Sequence, residues 1–158
     1  MGLEIERKFL IDIDKVENLQ NGYEIKQGYI QTKDKTTVRV RVRGDEAFIT
    51  IKGKNVGASR VEFEYSIPLD DANEMLEKLC LKPFIDKKRY LVEHKNHTWE
   101  IDVFYNENEG LIVAEVELED ENESVELPEW VVKEVTGDAR YYNSNLLENP
   151  FSKWKTNL

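Results

Sequence analysis

Three charged residues near the start of the chain, Glu4, Glu6 and Lys8, are spaced by two. On a β-strand that spacing puts all three side chains on one face. Two carboxylates and an ammonium on one face suit a hydrocarbon core poorly. They suit a cavity that holds a metal ion and an anion, with carboxylates for a hard divalent cation and cationic side chains for phosphate oxygens.

Other segments carry the same device. Arg39, Arg41 and Arg43 alternate with Val38, Val40 and Val42, and Thr50 and Lys52 alternate with Ile49 and Ile51. Arg60, Glu62 and Glu64 alternate with Val61, Phe63 and Tyr65, and Lys87 and Arg89 flank Lys88. Glu100 and Asp102 alternate with Trp99, Ile101 and Val103, and Glu115 and Glu117 with Ala114, Val116 and Leu118. A sheet with one wet face is the plainer cause of alternation. Solvated faces usually mix in Ser, Thr, Asn and Gln, whereas here nearly every polar position is charged. The apolar partners are large, so the opposite face is expected to pack, with helices as its cover. If the charged faces close around a lumen, eight acidic and eight basic side chains point inward, leaving 24 acidic and 14 basic residues outside. Such a lumen is nearly neutral, which lets unlike charges pair; unpaired buried charges are very costly. Carboxylates and water suit Mg²⁺ or Mn²⁺, and Arg forks suit phosphate oxygens.

The elements that must position these residues follow from period-two alternation and its interruptions. Strands are predicted over Leu3–Ile11, Tyr23–Thr32, Thr37–Arg43, Ala47–Lys52, Ser59–Pro68, Asp86–Glu93, Thr98–Tyr105 and Leu111–Glu119. Helical spacing of Ala72, Met75, Leu76, Leu79 and Cys80 predicts a helix over Asp70–Leu81, with Asp70 or Asp71 as N-cap. Short helices are expected at Asp14–Leu19, Ser144–Glu148 and Phe151–Trp154, and a helical turn at Pro128–Val132. This is a mainly β (α+β) pattern, and many antiparallel strands at this spacing indicate a barrel or a sandwich.

The 158 residues are expected to form one domain, 1–158. A net charge of −10 argues against generic binding to nucleic acid or a membrane surface. No apolar run approaches the roughly 20 residues that span a bilayer. The acidic N-terminus lacks a signal-peptide pattern, and the single Cys80 reads as a buried thiol in a reducing compartment, so a cytoplasmic location is expected. His94 and His97 read as a solvated hairpin tip, and Glu119–Glu126 as a solvated acidic loop. Trp99, Trp130 and Trp154 read as packing residues rather than cofactor platforms, and Phe151–Leu158 as a segment docked on the barrel.

In order, the motifs are Glu4-x-Glu6-x-Lys8, Gln27-Gly28-Tyr29, Arg39-x-Arg41, Thr50-x-Lys52, Arg60-x-Glu62-x-Glu64 and Lys87-x-Arg89-Tyr90. They continue with Glu100-x-Asp102-Val103-Phe104, Glu115-x-Glu117 and Glu134-Val135-Thr136-Gly137-Asp138-x-Arg140-Tyr141-x-Asn143. This ordered set, covering residues 3 to about 143, resembles the CYTH domain, or triphosphate tunnel metalloenzyme, family. The resemblance implies an eight-stranded antiparallel β-barrel (tunnel) with a charged interior and helices outside, and metal-dependent chemistry on triphosphates.

Resemblance and carboxylate density together assign Glu4, Glu6, Glu115 and Glu117 to Mg²⁺ or Mn²⁺, with two ions expected. Arg39, Arg41, Lys52, Arg60, Lys87 and Arg89 are assigned to a small anionic triphosphate, and the resemblance adds Arg140. Glu62, Glu64 and Asp102 are candidates to position metal or water, or to pair with the arginines. Lys8 is either a phosphate ligand or a proton acceptor. The implied reaction is hydrolysis of inorganic triphosphate (tripolyphosphate) to pyrophosphate and phosphate. Hydrolysis of a nucleoside or thiamine triphosphate, adenylate cyclisation, and non-catalytic polyphosphate binding are the alternatives.

Overall fold

Period-two alternation is realised as a sheet that curls until its first strand meets its fifth. A computed structural model of the chain describes residues 3–17, 19–82 and 84–154. Its strands are β1 (Leu3–Ile11), β2 (Tyr23–Ile30), β3 (Thr37–Arg43), β4 (Glu46–Lys52) and β5 (Ser59–Ser66). After helix α1 (Leu69–Lys78) come β6 (Ile85–His94), β7 (His97–Phe104), β8 (Ile112–Glu117), β9 (Val131–Glu134) and helix α2 (Asn143–Leu146). All pairings are antiparallel, in the order β5-β4-β3-β2-β6-β7-β8-β1-β9. The added pairing of β5 with β1, registered at Glu4 opposite Arg60, closes eight strands into a barrel and leaves β9 outside it.

The eight expected strands are all present, most ending within two residues of the expected limits. The turn expected at Pro128–Val132 is present as a single turn closed by the Val131 N–H on the Pro128 carbonyl at 3.1 Å, and it leads directly into β9, which pairs with β1 across a register shift between Leu10 and Ile11. The Asp14–Leu19 expectation reduces to a 3-10 turn at Ile13–Lys15, where the Asp12 side chain accepts from the Asp14 N–H; Asn18 lies outside the described residues. Helix α1 is capped by Pro68 rather than by Asp70 or Asp71, which occupy the first turn. There their charge favours the helix N-terminus without a capping hydrogen bond. The C-terminal helices shrink to α2 and a 3-10 turn at Phe151–Lys153, and residues 155–158 lie outside the described residues. The β6–β7 hairpin turns on Lys95 and Asn96, both at positive φ (49° and 69°), the backbone of a two-residue type I′ turn.

Packing divides the outside of the barrel. Phe9, Trp99, Ile101, Val116 and Trp130 form one buried cluster on β1, β7 and β8, with the Trp99 ring 5.3 Å from both Phe9 and Trp130. Helix α1 covers β2–β4 with Ala72, Leu76 and the buried Cys80, whose thiol pKa burial pushes up. A third cluster lies at one end of the lumen, where inward positions turn apolar: Ile85, Phe104 and Val113 pack with Tyr141, Leu146 and Leu147. Trp154 docks edge-on against Tyr141, 5.1 Å between ring centroids. Among the described residues no helix covers the outer face of β4 and β5. Ile51, Val61, Phe63 and Tyr65 there are 37–58% exposed, so the expectation that every large apolar position packs fails on this face.

Gly28 lets α1 approach the sheet. A Cβ at this position would stand 2.8 Å from the Cys80 Cβ and 3.0 Å from a Leu76 methyl. Gly28→Ala is therefore expected to destabilise the protein by about 1–3 kcal/mol, measured as a lowered urea midpoint at unchanged m-value.

Candidate active site

The inward strand faces and the turns at one end enclose a cavity of about 590 Å³. Fifteen of the sixteen charged positions expected inside line it. The exception, Asp102, lies beneath the lining at 3% exposure. Arg43 reaches the lining with its side chain 40% exposed and paired to Glu46 at 3.1 Å.

Strand β1 holds the acidic wall. Glu4 accepts from Lys52 Nζ at 3.0 and 3.1 Å and from Arg60 Nε at 3.0 Å. Burial pushes its carboxyl pKa up, but Lys52 and Arg60 outweigh burial and hold it below the usual value. Glu6 sits opposite Glu117 in the β1–β8 register and makes no ion pair among the described residues. Burial, then Glu115 and Glu4, hold the Glu6 carboxyl well above the usual range. Burial opposes ionisation of Glu115, yet Lys8, a hydrogen bond from Glu6 and Arg89 hold it well below that range. The two neighbouring carboxyls are thus held in opposite directions. Glu117 is raised by burial and by Glu4, Glu62 and Glu100. This is a surplus of negative charge that a cation would relieve. Among the described residues no three His, Cys, Asp or Glu side chains form a ready-made metal cage, because several of these carboxylates hold lysines and arginines instead.

The opposite wall has the converse surplus. Arg41 donates from Nε to Gln27 Oε1 at 2.8 Å and makes no ion pair with any described carboxylate. Burial, then Arg39 and Arg89, push its guanidinium pKa down. Arg39 is buried, holds Thr50 Oγ1 at 3.2 Å and Glu64 at 3.5 Å, and keeps a buried Nε with no partner. Buried donors without acceptors are rare in folded proteins and mark a place where an acceptor is due.

Lys8 is buried between a carboxylate, a carbonyl and a ring. Its Nζ lies 3.5 Å from Glu115, donates to the Tyr141 carbonyl at 3.2 Å, and sits 5.4 Å from the Tyr142 ring centroid. Burial alone would lower its pKa, but Glu115, Glu6 and Asp102 hold it above the ordinary value. The β9 end supports this strand: the Lys8 N–H donates to Thr136 Oγ1 at 2.9 Å, and the Val135 N–H donates to the Lys8 carbonyl at 2.8 Å.

Two expected site residues stand apart from the lining. Asp102 accepts from Lys87 Nζ at 2.7 Å and from Arg89 Nε and Nη2 at 2.7 and 2.9 Å, so of its two expected roles the structure forms the pairing with arginine. Burial opposes its charge, but Arg89 and Lys87 prevail and hold it at about 2. Arg140 is not among the lining residues. Its guanidinium, 55% exposed, pairs with Asp138 at 2.9 Å and lies over Tyr141 and Trp154, outside the cavity lining. Asp138 also accepts from the Arg140 N–H, which fixes this turn locally.

Sequence reasoning missed two neutral side chains, Gln27 and Asn143, that contact the cationic wall. Their signal was a buried amide on the inward face of β2 and a polar residue starting α2. It also set aside His97, whose Nε2 lies 2.6 Å from Glu123 and which lines the mouth with Glu119 and Glu123. His97 and these two glutamates of the acidic loop are thus part of the cavity rim rather than purely solvated.

Asp102→Asn would leave two buried cations without their carboxylate. The expected cost is about 3–5 kcal/mol in urea unfolding. Glu100→Gln removes a partly exposed partner 3.3 Å from Arg89 and is expected to cost under about 1 kcal/mol.

Comparison with known proteins agrees with this geometry. The CYTH domain model matches residues 2–144. An inorganic triphosphatase of Acetivibrio thermocellus is 50% identical over 155 residues, 98% of this chain and 99% of that protein. The crystal structure of an inorganic triphosphatase superposes with a TM-score of 0.66 at 32% identity, covering 91% of this chain and 97% of the other. A Pyrococcus horikoshii protein shares the fold at a TM-score of 0.60 and 18% identity, covering 75% of this chain and 80% of its own. With nine-tenths of its length matched by the family model and half of its residues shared with a full-length relative, this chain belongs to the CYTH domain family.

Proposed function

We propose that the protein hydrolyses inorganic triphosphate to pyrophosphate and phosphate inside the barrel. The observation that carries this reading is that, among the described residues, Arg41 beside Arg39 and Arg89 makes no ion pair and faces a wall where Glu6 and Glu117 make none either. Each wall has the charge that a metal-bound polyanion would complete. The identity shared with the Acetivibrio inorganic triphosphatase supports the same substrate.

Membership of the family carries a requirement for a divalent metal. Glu4, Glu6, Glu115 and Glu117 would hold it, as Mg²⁺ or Mn²⁺ and as two ions. All four are hard oxygen donors, and the raised Glu6 and Glu117 carboxyls fit an added cation. Bound metal supplies charge neutralisation on phosphate oxygens and an acidified water. The chain's own cations do the positioning on which phosphoryl transfer depends. Arg39, Arg41, Lys87 and Arg89 take phosphate oxygens, with Lys8, Lys52 and Arg60 at the acidic side. Lys8 is a ligand rather than a base, because a lysine held above its ordinary pKa keeps its proton. Glu62 and Glu64 orient water, or rebalance Lys52 and Arg39 as substrate enters. An inorganic substrate is favoured over a nucleotide because the lining tyrosines are engaged: Tyr29 by the Gln27 amide at 3.0 Å, Tyr142 by the Lys8 ammonium.

The test is phosphate release from tripolyphosphate, ATP and thiamine triphosphate, each with Mg²⁺, Mn²⁺ or EDTA. Tripolyphosphate is expected to be cleaved fastest, with loss of activity in EDTA; faster cleavage of ATP would overturn the substrate assignment. Glu6→Gln is expected to lower kcat/KM by about 100-fold or more, about 2.7 kcal/mol of transition-state stabilisation. Undiminished activity would overturn its metal role.

Lys87 gives a pH prediction. Burial pushes its pKa down to about 7, with Asp102 opposing and Arg89 and Arg41 adding to the effect. The ammonium therefore discharges as pH rises through about 7, whereas a bound triphosphate favours its charged form. Metal-free triphosphate binding is expected to weaken above that pH and to take up a proton, read as a buffer-dependent calorimetric heat.

A further inference from the structure

Gln27 and Asn143 are the neutral members of a hydrogen-bonded chain that otherwise consists of charges. Gln27 is fully buried on β2 and Asn143 opens α2, and they are distant in sequence. Arg41 Nε donates to Gln27 Oε1 at 2.8 Å, Gln27 Nε2 donates to Asn143 Oδ1 at 3.0 Å, and Lys87 Nζ donates to the same Oδ1 at 3.0 Å. Lys87 and Arg89 then meet on Asp102. Three cations of the phosphate wall are thereby fixed relative to one another.

The polarity of both amides is dictated by their neighbours. Arginine and lysine only donate. Arg41 must therefore meet the Gln27 oxygen, which turns the Gln27 nitrogen toward Asn143. Lys87 must meet the Asn143 oxygen, which is also the acceptor the Gln27 nitrogen needs. Flipping either amide would set donor against donor at a cation, so the four groups have one consistent arrangement. A carboxylate at either position could satisfy the cations equally well as a hydrogen-bond acceptor. It would also cancel a charge that a polyanion uses.

From this arrangement we infer that Gln27 and Asn143 are positioning residues for the triphosphate: Gln27 orients Arg41 without a counter-charge, and Asn143 orients Lys87 without adding to the one that Asp102 already supplies. The inference rests on the reading that the barrel binds triphosphate. It assigns the selectivity of this wall to neutral amides set where ion pairing would be the simpler way to hold a cation.

Asn143→Asp separates this role from a structural one, because the replacement is isosteric and can accept both hydrogen bonds. Tripolyphosphate affinity is measured by calorimetry in EDTA, alongside Tm and steady-state kinetics with metal. Asn143→Asp is expected to keep or raise Tm while weakening tripolyphosphate binding about tenfold or more and raising KM more than it lowers kcat. Asn143→Ala is expected to weaken binding as well, without recovery by the Asp variant. Gln27→Glu, which also places a negative charge beside Arg41, is expected to weaken binding in the same way. An Asn143→Asp protein that binds tripolyphosphate as tightly as the parent would overturn the inference, since hydrogen bonding alone would then suffice. Loss of affinity that merely tracks a fall in Tm across the three variants would overturn it too. Failure of the parent protein to bind tripolyphosphate would instead overturn the functional reading itself.

Discussion

A lumen lined by carboxylates, ammoniums and guanidiniums is stable only when desolvated charges find opposite partners. Each unpaired ion taken out of water costs several kcal/mol, and a pair recovers that cost only in good geometry. The interior meets this demand by sharing partners. Glu4 holds Lys52 and Arg60, Lys52 also approaches Glu62, and Asp102 serves Lys87 and Arg89. Strand alternation makes such sharing feasible, because it delivers the charged side chains of the lumen to one face and mostly hydrophobic neighbours to the other. The pairing stops short of completion at Glu6 and Glu117 on one wall and Arg41 on the other. Internal neutralisation thus ends on these three side chains.

The apolar floor sharpens this arrangement. Ile85, Phe104 and Val113 face inward just beyond Lys87 and Asp102, and Tyr141, Leu146 and Leu147 complete that cluster. Burial against this floor is what depresses Lys87 and makes Asp102 depend so heavily on its two cations. The same C-terminal segment supplies the Tyr141 carbonyl to Lys8 and the Asn143 amide to Lys87. A stretch of chain outside the barrel therefore sets the orientation of two lysines inside it.

What could be read from sequence was whatever repeated locally. Thr37–Arg43 alternates strictly and Leu3–Ile11 alternates through Glu4, Glu6 and Lys8, and both appear as strands with the expected limits. Val131–Glu134 has only four residues after a proline-containing turn, and becomes a strand because β1 offers it a ladder; that signal is tertiary. The outer face of β4 and β5 looked like core because Ile51 and Phe63 are large, but size records hydrophobicity rather than coverage. Charged site residues announced themselves by type. Gln27 and Asn143 did not, because an amide acquires its role from the register that brings Arg41 and Lys87 beside it. Arg140 lies apart from the lining, where the Asp138 turn and the Tyr141 and Trp154 rings give its guanidinium a local setting that the motif alone does not show.

Strand β1 has no sequence-local partner. Glu4 pairs opposite Arg60, Lys8 opposite Glu115, and Phe9 opposite Glu134. Most other neighbours in the sheet are joined by short connections and can zip as hairpins. Its ladders are therefore complete only once β5, β8 and β9 are all in place. Long-range pairing of this kind slows folding, because loop closure is paid for before contacts reward it. Barrel closure and assembly of the acidic wall are then a single late event. Partly folded chains lack a place for the polyanion, so ligand present during synthesis acts only on molecules that have already finished folding and holds them there by mass action.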